Sequence, residues 1–411
     1  MIGEAEAGYE LASLTVPRLG AVVPTGDPWQ PFKVVDAAGV SLSAVSAFMR
    51  DLQACECSPA TQSTYAWVLL RWFRFLWAAG VRWDHATRVE ARDFSLWLQL
   101  ADKQSGAGAR FGEACAPNPV TGKRPPGPKY APATRSHSES VLRGFYEFHL
   151  EAGTGPMVNP FPLVRQRRHR GPRAHRNPMD AERYEQTGLY RPKVVRRSPR
   201  RIPDHKFDEL FAVLPSHRDR ALVAFWVSTG ARASELLGAT VGDVDPGQQL
   251  ISVIRKGSRA RQQLPASADA FVWLRLYQAQ MQGLVAAGPD QPLWWTLRQP
   301  FRPLTYHAAY RMFTRANAAL GSNWSLHDLR HTAAYRMHDD PDLALTDVQW
   351  ILGHARITTT QIYGTKSEDE LIASVLAHHA RRAVPPSGAQ EPPALRYRPE
   401  SLRTLFGEGT E

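Results

Sequence analysis

Residues 322–340 read SNWSLHDLRHTAAYRMHDD and predict a helix with three cationic or protonatable side chains on one face. Residues three and four apart are neighbours on a helix surface, so His327, Arg330 and His331 would share a stripe. This stripe is either a solvated face or a site that receives negative charge. Two histidines at i and i+4 also match a zinc spacing. Asp328 stands where such a helix needs glutamate, and Arg330 would put a fixed positive charge beside the metal, so no metal is expected.

The composition indicates a globular protein with an anionic partner. Apolar residues make up 43% of the 411 residues and aromatic residues 10%, which allows two or three domains with sizeable cores. The formal net charge is +11 and the isoelectric point is near 9.8. Neither a membrane-length apolar run nor a signal-peptide pattern occurs, so a soluble cytoplasmic protein without membrane contact is expected.

The three cysteines argue against a disulfide framework. Cys55 and Cys57 form a Cys-x-Cys pair, and the third is Cys115. The pair lacks both the usual metal spacing and a second pair of ligands nearby, so it predicts a helix or loop segment and no metal site.

The positive charge is concentrated in one stretch. Residues 165–201 contain twelve Arg and one Lys against three acidic residues, a net charge of +10. The stretch is either a solvated linker without a partner or a strap that lies along phosphates. A charge this concentrated between two folded regions favours the strap.

The first half of the chain predicts a small helical domain. Residues 58–80 form its clearest helix, with Ser58 as N-cap and Gly80 as terminator, and its apolar spacing puts Arg71 and Arg74 on the surface. Further helices are predicted at 41–53, 91–103 and 131–153, with a Gly/Pro-rich loop at 105–128. The predicted divisions are an N-terminal extension of unknown role at 1–38, the helical domain at 39–165 and a basic linker at 166–203.

The second half predicts a mainly helical domain at 204–384, followed by a Pro-rich tail at 385–411. A helical stretch at 203–245 breaks at Thr229-Gly230. Residues 248–266 carry the one convincing strand signal, a hairpin that turns at Lys256. The remaining helices are predicted at 267–284, 304–321, 325–340, 345–355, 356–367 and 368–383.

Five motifs in order resemble the tyrosine recombinase family, also called the phage integrase family. They are TGARASEL, the Lys256 turn, HDLRHT, LGH and TTTQIYG, with Tyr363 nine positions after His354. The resemblance covers residues 39–384. It implies a mainly α fold: a helical, SAM-like core-binding domain and an α-rich catalytic domain with a small β-hairpin or sheet.

The resemblance also implies site residues. The catalytic positions match Arg232, Lys256, His327, Arg330, His354 and the nucleophile Tyr363. Supporting positions match Glu235, expected to orient a neighbour, and His331. Arg255 and Arg259 stand close enough to Lys256 to leave the identity of the hairpin cation open.

The chemistry suits these residue types. Attack of a tyrosine oxygen on a phosphodiester adds negative charge to two nonbridging oxygens, which two arginine forks can meet. His327 is the expected base for Tyr363, and Lys256 the expected proton donor to the departing 5′ oxygen. The 3′-phosphotyrosine keeps the energy of the ester bond, so neither ATP nor a cofactor is expected.

The predicted function is site-specific recombination of double-stranded DNA, of the integrase or transposase type. The two domains would clamp the duplex, and exchange would take place in a homo-tetramer on paired sites, with possible accessory or directionality proteins and a nucleoid location. The predicted subunit contact is the segment after the nucleophile, with Leu371, Ile372, Val375 and Leu376 on one side, although this helix could instead pack on its own domain. The expected DNA contacts are Arg71, Arg74, Lys123, Arg124, Arg167, Arg168, Arg170, Arg196, Arg197 and Arg200.

Two alternatives remain. A type IB topoisomerase would nick and reseal one strand as a monomer with similar residues. A protein that has lost catalysis would only occupy its DNA site. The short gap from His354 to Tyr363 and the core-binding helices favour the recombinase over the topoisomerase, and the full set of six residues argues against loss of catalysis.

Overall fold

The computed structural model describes residues 9, 11, 14–103, 116–125, 127–167, 184–193, 199–355 and 357–363. The chain divides into two compact units, 1–197 and 198–411. In the described ranges no helix is both long enough and apolar enough to cross a membrane. The predicted mainly α fold is confirmed, since helical residues far outnumber strand residues in the described part of both units.

The described residues of unit 1 form four α-helices, a 3-10 turn at Trp83–His85 and two small hairpins. The helices are α1 (Ser43–Ala54), α2 (Pro59–Ala79), α3 (Arg88–Leu100) and α4 (Pro132–Glu151). Strands β1 (Ala21–Pro24) and β2 (Phe32–Val35) pair antiparallel, as do β3 (Leu163–Arg167) and β4 (Tyr184–Gly188). All four helices were predicted, with boundaries shifted by a few residues.

Helix α2 shows why these segments fold locally. Ser58 accepts a hydrogen bond from Thr61 N at 3.3 Å, and Pro59 occupies the first helical position without losing a bond. Gly80 ends the helix with a φ of 69°, a left-handed conformation that glycine adopts without strain. The apolar face of the helix then enters a core of aromatic rings from α3 and α4.

The two hairpins of unit 1 differ from the prediction. Residues 1–38 were predicted as an extension, yet Val34 in β2 is fully buried in the core of unit 1. The linker was predicted to begin at residue 166, but β3 pairs with β4 across that boundary. Both hairpins have strands of four or five residues beside Gly or Pro, which leaves too little alternation for a strand prediction.

Unit 2 begins with three helices, α5 (Asp204–Ala212), α6 (His217–Thr229) and α7 (Ala233–Leu237). A three-stranded antiparallel sheet follows, in the order β5 (Val244–Asp245), β6 (Leu250–Ile254) and β7 (Arg261–Pro265). The remaining helices are α8 (Ala268–Met281), α9 (Tyr306–Ala319), α10 (Leu326–Asp339), α11 (Leu345–Leu352) and α12 (Ile357–Thr360), with a 3-10 turn at Gln361–Tyr363. The predicted break at Thr229-Gly230 and the predicted hairpin are both confirmed.

Two apolar clusters hold unit 2 together. The larger one lies between α6, α8, α9 and the sheet. It surrounds Trp226 and Trp294, which are each 1% exposed. The smaller one consists of Ala334, Val348, Leu352 and Tyr363, so the last helices pack around α10. The hydroxyl-bearing Tyr363 is therefore a core residue of this cluster as well as a candidate for chemistry.

Candidate active site

The end of α6 brings Arg232 into the site. Gly230 has a φ of 63°, and a Cβ there would come within 2.7 Å of Leu352, so both the turn and the close packing favour glycine. Arg232 is the N-cap of α7. Its backbone N–H donates to Glu235 Oε2, and its Nη1 donates to Glu235 Oε1, each at 2.9 Å. The first turn of α7 thus orients a half-buried guanidinium.

Glu235 connects three cationic positions. It is 4% exposed and also accepts hydrogen bonds from Arg255 Nη1 at 3.0 Å and from Lys256 N at 2.9 Å. Burial raises the pKa of the carboxyl, but the hydrogen bonds from Lys256 and Arg232 and the charge of Arg255 outweigh it, so the net shift is downward. Glu235 therefore stays ionised.

The hairpin turn separates its three basic residues by burial. Arg255 is 4% exposed and bound to Glu235, whereas Lys256 and Arg259 are exposed. Of the three, Lys256 combines an exposed ammonium with a backbone held to the Glu235 carboxylate. The sequence left Lys256, Arg255 and Arg259 as candidates for the hairpin cation. Arg255 is the least suitable of the three, because its guanidinium is already bonded to protein groups.

Helix α10 carries the stripe that the sequence predicted. Ser325 and Asp328 cap its start, with Ser325 N donating to Asp328 Oδ2 at 2.6 Å. Arg330 is 3% exposed and donates from Nη1 to Gly230 O and from Nη2 to Leu352 O, both at 2.7 Å. These two bonds occupy two of the five N–H groups of the guanidinium and orient its fork.

His354 follows directly on α11. Gly353 ends that helix with a φ of 62°, and His354 Nδ1 lies 2.9 Å from Thr360 Oγ1. Burial and the positive charges of Arg330, Arg232 and Arg255 lower the pKa of His354 to about 4. Three arginines therefore concentrate positive charge around one imidazole.

Tyr363 lies beside His354 and close to Arg330. It is 5% exposed, its ring makes an edge contact with Tyr335 at 5.2 Å between centroids, and its ring is stacked with His354 at 6.4 Å. Its hydroxyl oxygen is 2.9 Å from His331 Nδ1. Burial raises the pKa of Tyr363, while the charge of Arg330 opposes that rise.

The two histidines of the stripe differ in their contact with Tyr363. The sequence indicated His327, but the residue in hydrogen-bond contact is His331, the next residue of the same stripe that was expected only to support. The ring of His327 is exposed and lies 4.3 Å from that of His331. The spacing of the motif could not separate these two histidines, because both lie on one face of α10.

The structure brings Arg232, Arg330 and His354 into one electrostatic group, together with Arg255. The pKa of Arg330 is lowered to about 10, first by burial and then by the charges of Arg232 and Arg255, with Glu235 and Tyr363 opposing. Burial and the neighbouring arginines therefore make the charged form of Arg330 costly, and a bound anion would lower that cost. Such a group favours an anionic ligand.

Among the predicted DNA contacts, Arg74 is buried and does not lie on the surface as predicted. It is 9% exposed, and its guanidinium donates to Leu19 O from Nε at 2.6 Å and to Gly20 O from Nη2 at 2.9 Å. The predicted surface position is wrong because the unpredicted segment before β1 covers this side of α2. Arg74 holds that segment in place.

Only some of the other predicted DNA contacts lie in the residues that the structure describes. Arg71 is half-buried with its guanidinium 4.5 Å from the ring centre of Tyr130, Lys123 is half-buried, and Arg124 and Arg200 are exposed. Arg167 belongs to β3, but its side chain is outside the described set. Also outside the described residues are Arg168, Arg170, Arg196, Arg197, Cys115 and the predicted packing residues Leu371, Ile372, Val375 and Leu376.

Comparison with known proteins points to one group of enzymes. Residues 200–370 match the model of the phage integrase family. Tyrosine recombinase XerD of Pseudomonas aeruginosa is 34% identical over 169 residues, which cover 40% of this chain and 55% of that protein. Tyrosine recombinase XerC of Bacillus subtilis is 28% identical over 259 residues, which cover 60% of this chain and 75% of that protein. The chain spans about half the length of the XerD proteins it matches, 55% for Pseudomonas aeruginosa and 50% for Corynebacterium glutamicum.

Solved structures show the same fold at low sequence identity. The Tn1549 transposon integrase, residues 82–397 in complex with circular intermediate DNA, has a TM-score of 0.53 and 14% identity over 82% of this chain and 99% of that chain. The XerH site-specific recombinase bound to its difH substrate has a TM-score of 0.51 and 17% identity over 82% of this chain and 85% of that chain.

Proposed function

Because the chain carries a domain of the phage integrase family, we propose that it is a site-specific DNA recombinase that cleaves and rejoins strands through Tyr363. One observation carries the proposal: the buried Tyr363 hydroxyl contacts His331, while burial and then the charges of Arg330, Arg232 and Arg255 lower the pKa of the neighbouring His354 to about 4. A nucleophile beside three arginines, Arg232, Arg255 and Arg330, that outnumber the Glu235 carboxylate suits a phosphodiester substrate.

The cations would meet the charge that develops on the phosphorus. Arg232 and Arg330 present planar forks, which match two nonbridging oxygens better than point charges do. Removing one such preorganised donor costs about 10²–10³-fold in other enzymes. Side chains would supply the positive charge, so the proposed reaction requires neither a metal ion nor a cofactor.

The proton movements balance the bond changes. The Tyr363 Oη–P bond forms while the P–O5′ bond breaks, leaving a 3′-phosphotyrosine and a free 5′ hydroxyl. His331 would take the tyrosine proton, as its 2.9 Å contact supports. Lys256 would give a proton to O5′ from its exposed turn. Rejoining reverses these steps with another 5′ hydroxyl and needs no ATP.

Duplex DNA is the proposed partner. The exposed Arg124 and Arg200 and the half-buried Lys123 and Arg71 would contact phosphates, so affinity should fall with salt. We infer further that exchange takes place in a tetramer on paired sites. Such an activity would locate the protein at the nucleoid.

The test is covalent trapping. Nicked suicide duplexes drawn from the DNA that flanks the gene would be incubated with the protein in EDTA, and adducts detected on denaturing gels. A protein–DNA adduct is expected with wild type, and none with Tyr363→Phe. Tyr310→Phe serves as the matched control, because Tyr310 is 47% exposed on α9 and outside the site.

The other outcomes identify the alternatives. Specific, salt-sensitive binding without an adduct would favour a protein that only occupies its site. Relaxation of supercoiled plasmid without paired sites, together with an adduct, would favour a type IB topoisomerase. Adduct formation that survives Tyr363→Phe would overturn the assignment of the nucleophile.

A further inference from the structure

Arg255 is a buried cation that none of the proposed chemical steps uses. Its guanidinium donates to Gln262 Oε1 from Nε at 2.6 Å, to Glu235 Oε2 from Nη1 at 3.0 Å and to Ile351 O from Nη2. Burial lowers the pKa of Arg255, and the charge of Glu235 opposes that shift. Removing a cation from water is costly unless its partners are well placed, so this geometry is strongly constrained.

These bonds join three separate elements. Glu235 belongs to α7, Gln262 to β7 and Ile351 to α11. Gln262 strengthens the junction because its Nε2 donates to Trp350 O at 2.9 Å. One guanidinium therefore holds the hairpin against the end of α11.

The same guanidinium lies against the residue before His354. A Cβ on Gly353 would come within 3.0 Å of Arg255 Nε, and the φ of Gly353 is 62°. Glycine thus allows the backbone to approach the arginine closely. A displacement of Arg255 would therefore shift the backbone at Gly353 and with it His354.

Lys256 is attached to the same junction by its backbone. Its N–H donates to Glu235 Oε1, while Arg255 Nη1 donates to Oε2 of the same carboxylate. The lysine side chain itself is exposed and long, so the anchored backbone is what limits where its ammonium can reach.

We propose that Arg255 is a positioning residue that fixes the Lys256 turn relative to Glu235 and His354. The proposal rests on the proposed function, in which Lys256 gives the proton to O5′. Arg255 itself touches no reacting atom, and its effect on cleavage passes through Lys256.

A change of leaving group separates this role from a general structural one. Sulfur in place of O5′ leaves as a thiolate, whose conjugate acid has a pKa near 8.5, so it needs no proton from the enzyme. A defect in proton delivery should disappear with the sulfur substrate. A defect in phosphate binding or in folding should remain.

The variant is Arg255→Met, tested on the suicide duplex with oxygen or sulfur at the 5′ bridging position. Cleavage of the oxygen duplex should fall about 100-fold, the lower range for loss of a general acid. Cleavage of the sulfur duplex should stay within about threefold of wild type. Arg261→Met is the control, since Arg261 lies on the same hairpin and makes an exposed ion pair with Asp243 at 2.8 Å. Equal losses on both duplexes, or no loss on either, would overturn the proposal.

A second measurement needs no DNA. Amide hydrogen exchange at Lys256 should accelerate in Arg255→Met and stay unchanged in Arg261→Met. Arg255→Lys keeps the charge without the fork and should be intermediate, which covers the case of a poorly folded Met variant. Unchanged exchange at Lys256 would overturn the positioning role. If wild type cleaves neither duplex, the proposed function fails, while the exchange result still decides on Arg255.

Discussion

Tyr146 in unit 1 and Tyr363 in unit 2 are both buried tyrosines with hydrogen-bonded hydroxyls. Tyr146 Oη accepts from Trp72 Nε1 at 2.9 Å and donates to Trp83 O at 3.0 Å, within a cluster of aromatic rings. Tyr363 Oη contacts His331 Nδ1, close enough to Arg330 for its charge to act on the phenol. The first hydroxyl has neutral partners that satisfy it, and the second has an imidazole nitrogen and a nearby cation.

The pKa shifts show what this difference means. Burial raises the pKa of both phenols and is the largest cause in each. For Tyr146 the nearby carboxylates Glu90 and Asp84 raise the pKa further, with only Trp72 opposing. For Tyr363 the charge of Arg330 opposes the rise. Burial alone therefore disfavours the phenolate in both residues, and only at Tyr363 does a nearby cation favour it.

The largest expected effect comes from removing the proton acceptor. His331→Ala should slow formation of the Tyr363 adduct about 100-fold at neutral pH, since general bases contribute 10²–10⁴-fold. His331→Gln keeps a hydrogen-bonding side chain but cannot accept a proton at this pH, so it should be about as slow. Single-turnover cleavage of the suicide duplex measures both.

The matched variant is His327→Ala on the same face of α10. It should cause the smaller loss, because the structure has His331 in contact with the hydroxyl. A larger loss in His327→Ala would restore the base that the sequence predicted. It would also mean that Tyr363 changes partner when DNA binds.

A smaller effect is expected on the free energy of unfolding. Here Tyr146→Phe should have the larger effect and Tyr363→Phe the smaller, the reverse of their expected effects on cleavage. Tyr146→Phe leaves the buried Trp72 Nε1–H without its acceptor, which should cost about 1–3 kcal/mol of unfolding free energy. Tyr363→Phe should cost less than about 1.5 kcal/mol, because His331 is only half-buried and water can reach it. Urea unfolding of the two variants measures the difference. Cleavage by Tyr146→Phe at the wild-type rate serves as the control, and slower cleavage would contradict its structural role.

The smallest effect concerns pH. His354 has a folded pKa of about 4 against about 6.5 when unfolded, so the unfolded chain binds more protons between these values. The neutral His354 therefore adds stability above about pH 6.5 that is lost as the pH falls through about 4. Titration of its ring protons by NMR should give the low pKa, which should rise in Arg330→Met.

His149 in unit 1 is the internal control for this titration. Burial lowers its pKa, and a hydrogen bond with Ala44 O opposes the shift, without an arginine among the causes. Arg330→Met should therefore leave its titration unchanged. A His354 that titrates near 6.5 in wild type would contradict the charge group described around it.

Local chemistry was readable from the sequence where neighbours in the chain decide the structure. Ser58, Pro59 and Gly80 marked the ends of α2, and Gly230 marked the end of α6, because capping and left-handed turns depend on a few adjacent residues. The order and spacing of the five motifs were likewise local, and they indicated the family before any distance was known. The short hairpins of unit 1 were not predicted, because strand pairing depends on a partner segment. Four or five residues are too few to show a clear strand pattern.

Only the tertiary structure decided which residue meets which. Arg74 has a surface-like position in its helix until the backbone at Leu19, 55 residues earlier, covers it. His331 rather than His327 reaches Tyr363, 32 residues later, and Arg255 rather than Lys256 is buried against Glu235, 20 residues earlier. Nearby residues of similar chemistry, such as His327 and His331 or Arg255 and Lys256, cannot be told apart in the sequence. Their roles diverge because packing between distant segments buries one, exposes the other and sets the charges around each.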